Sequence, residues 1–110
     1  MPQIVIRGLS IEQVKQMSRP LVDELAEICS CGTDNFTLEV PQATYISSGS
    51  EVAMYPLIEV KWFERGQAVR DRFAQAVTKH VLALGEEEVE VAFATYQEAA
   101  YYINGTSCAE

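Results

Sequence analysis

The stretch Leu57-Ile58-Glu59-Val60-Lys61-Trp62-Phe63 decides the fold class, because it is rich in β-branched and aromatic residues and a helical pattern follows it closely. We predict that helix from about Gln67 to Leu84, ended by Gly85. Alternating apolar residues then predict a further strand from Glu88 to Thr95. The second half of the chain is thus expected to form a β-α-β unit.

The first half of the chain repeats this order. Gln3 to Arg7 is predicted as a short strand, and Ser10-Ile11-Glu12-Gln13 fits a capping box at the start of a helix. An apolar stripe continues that helix at three- and four-residue intervals, through Val14, Met17, Leu21, Leu25 and Ile28. Pro20 lies inside the stripe and predicts a kink or a break, and Gly32 predicts the stop.

A longer second strand is predicted from Asn35 to Ile46, where apolar and polar residues alternate. Pro41 has no N–H group, which favours a bulge or an edge position within that strand. The stretch Ser47 to Ser50 is interpreted as a flexible connector between the two halves.

Together these patterns predict an α+β domain of two β-α-β repeats, which form a four-stranded mixed sheet with two helices on one face. The repeats span about residues 2–46 and 57–105, and we expect residues 1–110 to make a single domain. Two helices cover one face of such a sheet, yet apolar side chains also lie on the other face, at Val5, Leu57, Phe63, Ala92 and Ala94. Burying that second face requires another subunit, so the sequence predicts a homo-oligomer.

Charge and cysteine content narrow the classes of function. Sixteen acidic against eight basic residues give a formal net charge of −8, which disfavours nucleic acids and anionic membranes as partners. No apolar run is long enough to cross a bilayer and no export signal is visible, so we expect a cytoplasmic protein. Cys29, Cys31 and Cys108 are expected to be reduced thiols that complete no zinc site, and neither a metal nor a cofactor is predicted.

This element order, together with Pro2 directly after the initiator methionine, resembles the tautomerase superfamily, which includes 4-oxalocrotonate tautomerase and macrophage migration inhibitory factor. The resemblance covers nearly the whole chain at the level of element order. It extends to Ile58–Phe63 before the second helix and to a tail, Tyr96 to Gly105, similar to that of the inhibitory factor. The chain is most similar to an uncharacterised bacterial branch, and the resemblance implies a trimer of sheets around a central axis.

The resemblance implies keto–enol tautomerisation as the activity. In the family, removal of the methionine frees the proline as a secondary amine at the floor of an apolar pocket between subunits. An α-amino group has a pKa of about 8, and burial in apolar surroundings disfavours its charged form. A neutral Pro2 amine would abstract a proton next to the carbonyl of a small enol or keto acid and return it elsewhere.

Other site residues follow from the same resemblance. Phe63 would line the pocket and offer its backbone N–H, and Tyr101 and Tyr102 match the aromatic pocket residues of the tail. Lys61 is one of the few cations nearby. We interpret the alternation of the strand as placing Lys61 one residue off Phe63, and we expect its side chain to point away from the site. His80, the lone histidine, is predicted to be a partly buried, hydrogen-bonded structural residue.

Several positions depart from the family pattern. Where family members that act on dianionic substrates have arginines, this chain has Ser10 and Thr37, and the lysine of the inhibitory-factor branch falls near Cys31. The pocket tyrosine and asparagine of that branch correspond to Glu90 and Ala92, and a glutamate would repel an acidic substrate. The anion-binding half of the usual site is therefore missing.

Two functions stay open at this point. The first is a tautomerase-like isomerase that uses Pro2 on a small enol or keto acid. The second is a non-catalytic homotrimer that binds a small molecule or a protein through the same pocket. A ferredoxin-like dimer has the same element order and is an alternative assembly.

Overall fold

The structure is a computed structural model that describes residues 1–109 of the chain. The strands are β1 Gln3–Arg7, β2 Thr37–Glu39, β3 Tyr45–Ser47, β4 Ser50–Val52, β5 Leu57–Phe63, β6 Glu90–Tyr96, β7 Tyr102–Ile103 and β8 Thr106–Ser107. The helices are α1 Ile11–Cys29 and α2 Gln67–Leu82, with single 3₁₀ turns at Thr33–Asn35 and Glu98–Ala100. Within residues 1–109, neither helix combines the length and the apolar character that crossing a bilayer requires.

Four of the strands form one mixed sheet in the order β2-β1-β5-β6. β1 is parallel to β2 and antiparallel to β5, and β5 is parallel to β6. Each parallel pair is joined by one helix, because parallel neighbours need a crossover connection. The predicted α+β fold of two β-α-β repeats is therefore confirmed.

The core lies between this sheet and the two helices. Along β5, fully buried residues alternate with half-buried ones, and the side that faces the helices carries Ile58, Val60 and Trp62. Ile4 and Ile6 of β1 are also fully buried. The helices contribute a matching set of buried side chains, namely Val14, Met17, Leu21, Leu25, Phe73, Ala76, Val77 and Val81. The apolar stripes predicted for both helices therefore face the sheet.

The start of α1 follows the predicted capping box. The Ser10 hydroxyl accepts a hydrogen bond from the Gln13 N–H at 3.1 Å, and the Gln13 side chain accepts one from the Ser10 N–H at 2.8 Å. The helix continues through Pro20 without interruption, so a break there is wrong. Pro20 is exposed, and the carbonyl that loses its helical partner can be hydrated instead.

Both helices end differently from the prediction. α1 ends at Cys29 because Ser30 adopts a left-handed conformation at φ 54°, and the Cys31 N–H then bonds to the Ala26 carbonyl at 3.0 Å. Gly32 is therefore not the stop. α2 ends at Leu82, two residues earlier than predicted.

The second predicted strand is wrong beyond its first residues. β2 occupies only Thr37–Glu39 at the edge of the sheet, and Pro41 has no N–H with which to continue the ladder. β3 and β4 instead pair as a separate antiparallel hairpin. Ser48 and Gly49 turn between them with φ of 52° and 79°, the backbone signs of a two-residue hairpin turn. The stretch interpreted as a flexible connector is therefore this turn.

The sheet face opposite the helices carries charge as well as apolar side chains. Val5 is 3% exposed, although no helix covers it. Around it lie Arg7, Glu59 and Lys61, which we call the charged band. Glu59 Oε1 is 3.9 Å from an Arg7 nitrogen and 4.0 Å from Lys61 Nζ. The predicted apolar face is thus present but divided by ion pairs, with Leu57, Phe63 and Ala94 half-buried and Ala92 exposed.

A polar contact joins α1 to α2 on the side away from the sheet. The Glu24 carboxylate accepts hydrogen bonds from Lys79 Nζ at 2.7 Å and from His80 Nε2 at 2.9 Å. The His80 side chain is 17% exposed, which confirms its predicted structural role. The hydrogen bond from Lys79, followed by that from His80, lowers the pKa of Glu24.

We expect Gly8→Ala to lower the free energy of unfolding by more than about 2 kcal/mol. Gly8 joins β1 to α1 at φ 86°, and a Cβ there would lie 2.2 Å from the Tyr55 carbonyl oxygen. The control is Gly49→Ala, at φ 79° with open space around its Cβ, which should lower it by about 1 kcal/mol. Urea unfolding measures both variants, and equal losses would contradict the close approach of Tyr55.

We expect Glu24→Gln to destabilise the protein at neutral pH but not in acid. Because folding lowers the Glu24 pKa, its stabilisation is full above the unfolded pKa, about 4.3, and is lost as the pH falls through the folded value. The side chain is 34% exposed, so screening limits the effect to about 0.5–1 kcal/mol. Urea unfolding at pH 7 and at about pH 3 measures it, with Glu27→Gln as control. A deficit that persists in acid would rule out the ion pair as its cause.

Candidate active site at the Pro2 end of the sheet

Pro2 lies at the start of the central strand β1 and is buried, with less than 2% of its surface exposed. Its carbonyl accepts a hydrogen bond from the Thr37 N–H at 3.3 Å, so it is held against β2 on one side. On the other side Gln3 pairs with Lys61 of β5. One step further along that antiparallel register, Pro2 is opposite Trp62, and cross-strand partners place their side chains on the same face.

An aromatic cluster forms at the same end of β5. The ring of Tyr101 meets Phe63 edge-on with centroids 5.1 Å apart, and it lies 5.6 Å from the ring of Tyr96. The register of β5 and β6 places Phe63 beside Tyr96. The 3₁₀ turn at Glu98–Ala100 then folds the chain back, so that Tyr101 covers both rings. The structure thus brings two of the predicted site residues, Phe63 and Tyr101, into contact.

Tyr102 does not join this cluster. It begins β7, one residue after Tyr101, and is 62% exposed. Within residues 1–109, β7 pairs only with β8, through a turn at Asn104 and Gly105. Tyr102 is therefore available for contact with another molecule rather than with the rings of its own chain.

Lys61 lies on the same face of the sheet as Phe63. The expectation that it points away from Phe63 is wrong, because residues two apart on a strand share a face and both belong to the half-buried set of β5. Its ammonium lies 4.0 Å from Glu59 Oε1, within the charged band. The positive charge of Lys61 is thus partly matched inside its own chain.

Glu90 lies at the far end of the sheet from Pro2 within one chain. Its register partner on β5 is Leu57, whereas Tyr96 at the other end of β6 pairs with Phe63. Glu90 and Tyr96 are six steps apart along β6, which corresponds to about 20 Å. One chain therefore does not bring Glu90 together with Pro2 or Phe63.

Arg65 is a residue of this end of the sheet that the sequence analysis missed. Its guanidinium donates a hydrogen bond to the Phe63 carbonyl at 3.1 Å, and its Cζ lies 5.4 Å from the centre of the Trp62 ring. Trp62 is thus flanked by Arg65 and by Pro2. The signal was present in the sequence as an arginine two residues after the strand that ends at Phe63.

Glu64 fixes the loop that carries Arg65. Its Oε1 accepts hydrogen bonds from the N–H groups of Gly66 at 2.9 Å and of Arg65 at 3.1 Å, and its other oxygen pairs with Arg70 of α2. Gly66, the residue before α2, has no side chain with which to cap that helix. The Gly66 N–H, together with Arg70, lowers the pKa of Glu64. The loop between β5 and α2 is therefore held by an ionised carboxylate.

The end of α1 completes the surroundings. Cys29 packs against the core, and burial raises the pKa of its thiol, while the nearby Arg65 guanidinium acts in the opposite direction. The thiol is therefore protonated at neutral pH. A surface groove of about 590 Å³ lies elsewhere, between the β3–β4 hairpin and the start of α1.

Comparison with known proteins gives a family match over almost the whole length. The family described as "Domain of unknown function (DUF1904)" matches residues 1–107. A DUF1904 protein of known structure from Sebaldella termitidis ATCC 33386 is 34% identical, covers 97% of this chain and 99% of its own, and superimposes with a TM-score of 0.89. No curated protein matches the sequence.

Two more distant structures share the fold. Fused 4-OT, described as a wild-type asymmetric trimer, is 11% identical with a TM-score of 0.80, and the match covers 98% of this chain and 97% of that one. Pt0534, whose structure was determined after inactivation by 2-oxo-3-pentynoate, is 19% identical with a TM-score of 0.77, covering 97% and 96%. At such identities the likeness shows the fold alone, and it confirms the expected tautomerase-type fold.

Proposed function

From the premise that this chain belongs to the DUF1904 family, a family of domains of unknown function, we propose that it is a tautomerase-like isomerase of small enol or keto acids. The catalytic group is the Pro2 amine, exposed by removal of Met1. The observation that supports this most directly is the burial of Pro2 at the start of the central strand, opposite Trp62.

The chemistry requires a neutral amine. While Met1 is attached, the Pro2 nitrogen is a tertiary amide and accepts no proton. After Met1 is removed it becomes a secondary amine with a reference pKa of about 8, which apolar surroundings lower. The amine then takes a proton from the carbon next to a carbonyl and returns it to the carbonyl oxygen or to a more distant carbon. The substrate is thus isomerised with no net gain or loss of protons.

The aromatic cluster supplies the wall of the site. Phe63 and Tyr101 form an apolar surface beside the strand end that bears Pro2. Such a surface excludes water and strengthens any donor that stabilises the enolate oxygen. Tyr102 and Glu90, which lie outside this cluster, would reach a site only across a subunit boundary.

We further propose that the chain forms a homotrimer through the sheet face that bears the charged band. Leu57 and Phe63, which are half-buried, offer apolar surface there, and Arg7, Glu59 and Lys61 offer both signs of charge to a second copy. The description of the structurally similar fused 4-OT as a trimer supports the same arrangement. In such an assembly the exposed Tyr102 would contact a neighbouring chain.

We expect 2-oxo-3-pentynoate, the compound that inactivates Pt0534, to modify Pro2. The amine nitrogen would bond to the alkyne carbon and its proton would move to the adjacent carbon, so the chain gains the whole mass of the reagent. Intact-mass and peptide mass spectrometry should find one adduct per chain, on residue 2. Pro2→Ala should react at least about tenfold more slowly.

Protein that retains Met1 is the matched control, because its Pro2 nitrogen is an amide and should gain nothing. Adducts confined to Cys29, Cys31 or Cys108 would contradict the proposal, since thiols add to the same reagent. Chains purified with Met1 uniformly retained would also contradict it and would favour the non-catalytic binding module.

We expect sedimentation to give three chains per particle and Glu59→Arg to dissociate them. The substitution leaves the charged band with cations alone, which would repel the same face of each neighbour. Glu27→Arg, on the exposed surface of α1, changes the net charge equally and should leave the trimer intact. Two chains per particle would favour the ferredoxin-like dimer, and a trimeric Glu59→Arg variant would exclude this face as the interface.

A further inference from the structure

Arg65 is a half-buried cation without a carboxylate partner anywhere in residues 1–109. The chain has sixteen acidic residues against eight basic ones, so scarcity of carboxylates does not explain this. A partly desolvated guanidinium without an anion is unfavourable by comparison with a paired one. The lack of a carboxylate partner for Arg65 therefore needs a physical explanation.

The nearest carboxylate along the chain is directed away from the Arg65 side chain. Glu64 uses one oxygen for the backbone N–H groups of Arg65 and Gly66 and the other for Arg70. These bonds hold the backbone of Arg65 while leaving its guanidinium without a negative partner. Glu64 thus positions Arg65 without neutralising it.

The guanidinium is held in place yet keeps most of its donors. One N–H bonds to the Phe63 carbonyl at 3.1 Å, and the group lies over the Trp62 ring. A guanidinium has five N–H donors in a planar fork, and the remaining ones suit bidentate recognition of a carboxylate. Stacking on an aromatic ring restricts its motion, so less entropy is lost on binding.

A second donor beside the guanidinium also has no hydrogen-bond partner. The indole N–H of Trp62 is buried and has no acceptor in residues 1–109. Two groups that only donate, the indole and the guanidinium over it, therefore lie together with unused N–H bonds. An anionic ligand is favoured over a cationic or purely apolar one at such a place.

We propose that Arg65 binds the carboxylate of the substrate, in place of the arginines that are absent at Ser10 and Thr37. The inference rests on the proposed function for the location of the reacting carbon beside Pro2. Lys61 and Arg70, which also lie near this end, already face Glu59 and Glu64. One available cation fits one carboxylate, so the substrate class is a small 2-oxo acid with a single negative charge.

Trp62 is the only tryptophan of the chain and reports on this contact directly. Its fluorescence should change saturably with pyruvate, because an anion on the guanidinium alters the charge over the ring. Methyl pyruvate, the neutral ester, should give no saturable change. Arg65→Gln should weaken pyruvate binding at least about tenfold, Arg65→Lys less, and Glu64→Gln severalfold.

Arg19→Gln is the control, because Arg19 is an exposed arginine on α1 that also lacks a carboxylate partner in residues 1–109. Its pyruvate titration should match that of the unchanged protein. The inference would be overturned if pyruvate caused no saturable fluorescence change in the unchanged protein. It would also be overturned if Arg65→Gln bound pyruvate as tightly as the unchanged protein and had the same unfolding curve. Methyl pyruvate binding as tightly as pyruvate would overturn it too.

The titration does not require catalysis, which separates it from the test of Pro2. Binding that depends on Arg65, in a protein whose Pro2 gains no adduct, would leave the anion site standing and remove the isomerase function. An adduct on Pro2 with unchanged binding by Arg65→Gln would remove the anion site alone.

Discussion

Five residue pairs, from Gln3–Lys61 to Arg7–Leu57, join the two halves of the chain in the centre of the sheet. Because β1 and β5 alternate in phase, this register sends the isoleucines of β1 and the even-numbered residues of β5 toward the helices. It sends Arg7, Glu59 and Lys61 to the opposite face. A slip of one residue would exchange the two sets, and the core and the charged band would both be lost.

The same register places Trp62 in the core and beside the residues of the candidate site. Its ring lies 5.3 Å from that of Phe73 and 4.7 Å from that of Phe93, while Arg65 covers it from the loop. A side chain that is packed on several sides in this way has little freedom to move. Pro2, which lies opposite Trp62, is therefore positioned by the hydrophobic core, and Arg65 is positioned by the Glu64 carboxylate that fixes its loop, which favours a preformed site.

Local signals in the sequence were sufficient for the two helices and the four strands of the main sheet, but not for every boundary and not for the β3–β4 hairpin. The capping box at Ser10 and Gln13 was predictable because both partners lie within one turn of helix. The end of α1 was not predictable, because Ser30 adopts the left-handed conformation that glycine usually adopts at the end of a helix. The role of Ser48 and Gly49 depends on pairing between β3 and β4, which a serine-rich segment does not reveal.

The residues of the candidate site were likewise predictable only in part. Pro2, Phe63 and Tyr101 were predicted as site residues through a resemblance that carries long-range information, and the structure places the last two in contact. Arg65 was missed because its environment depends on contacts with Phe63 and Trp62 that only the folded loop creates. Its lack of a carboxylate partner is likewise visible only when all the charges are placed in space.

The burial of Pro2 links the use of its nitrogen to the order of events during synthesis. β1 acquires its β5 partner only when Leu57–Phe63 has been made, so the central pair of the sheet cannot form until more than half of the chain has been synthesised. If Met1 is removed as proposed, a processing enzyme would reach the Met1–Pro2 bond in that interval, before Pro2 becomes buried. Whether each molecule carries an amine or an amide would then be decided once, on the nascent chain, and kept for its lifetime.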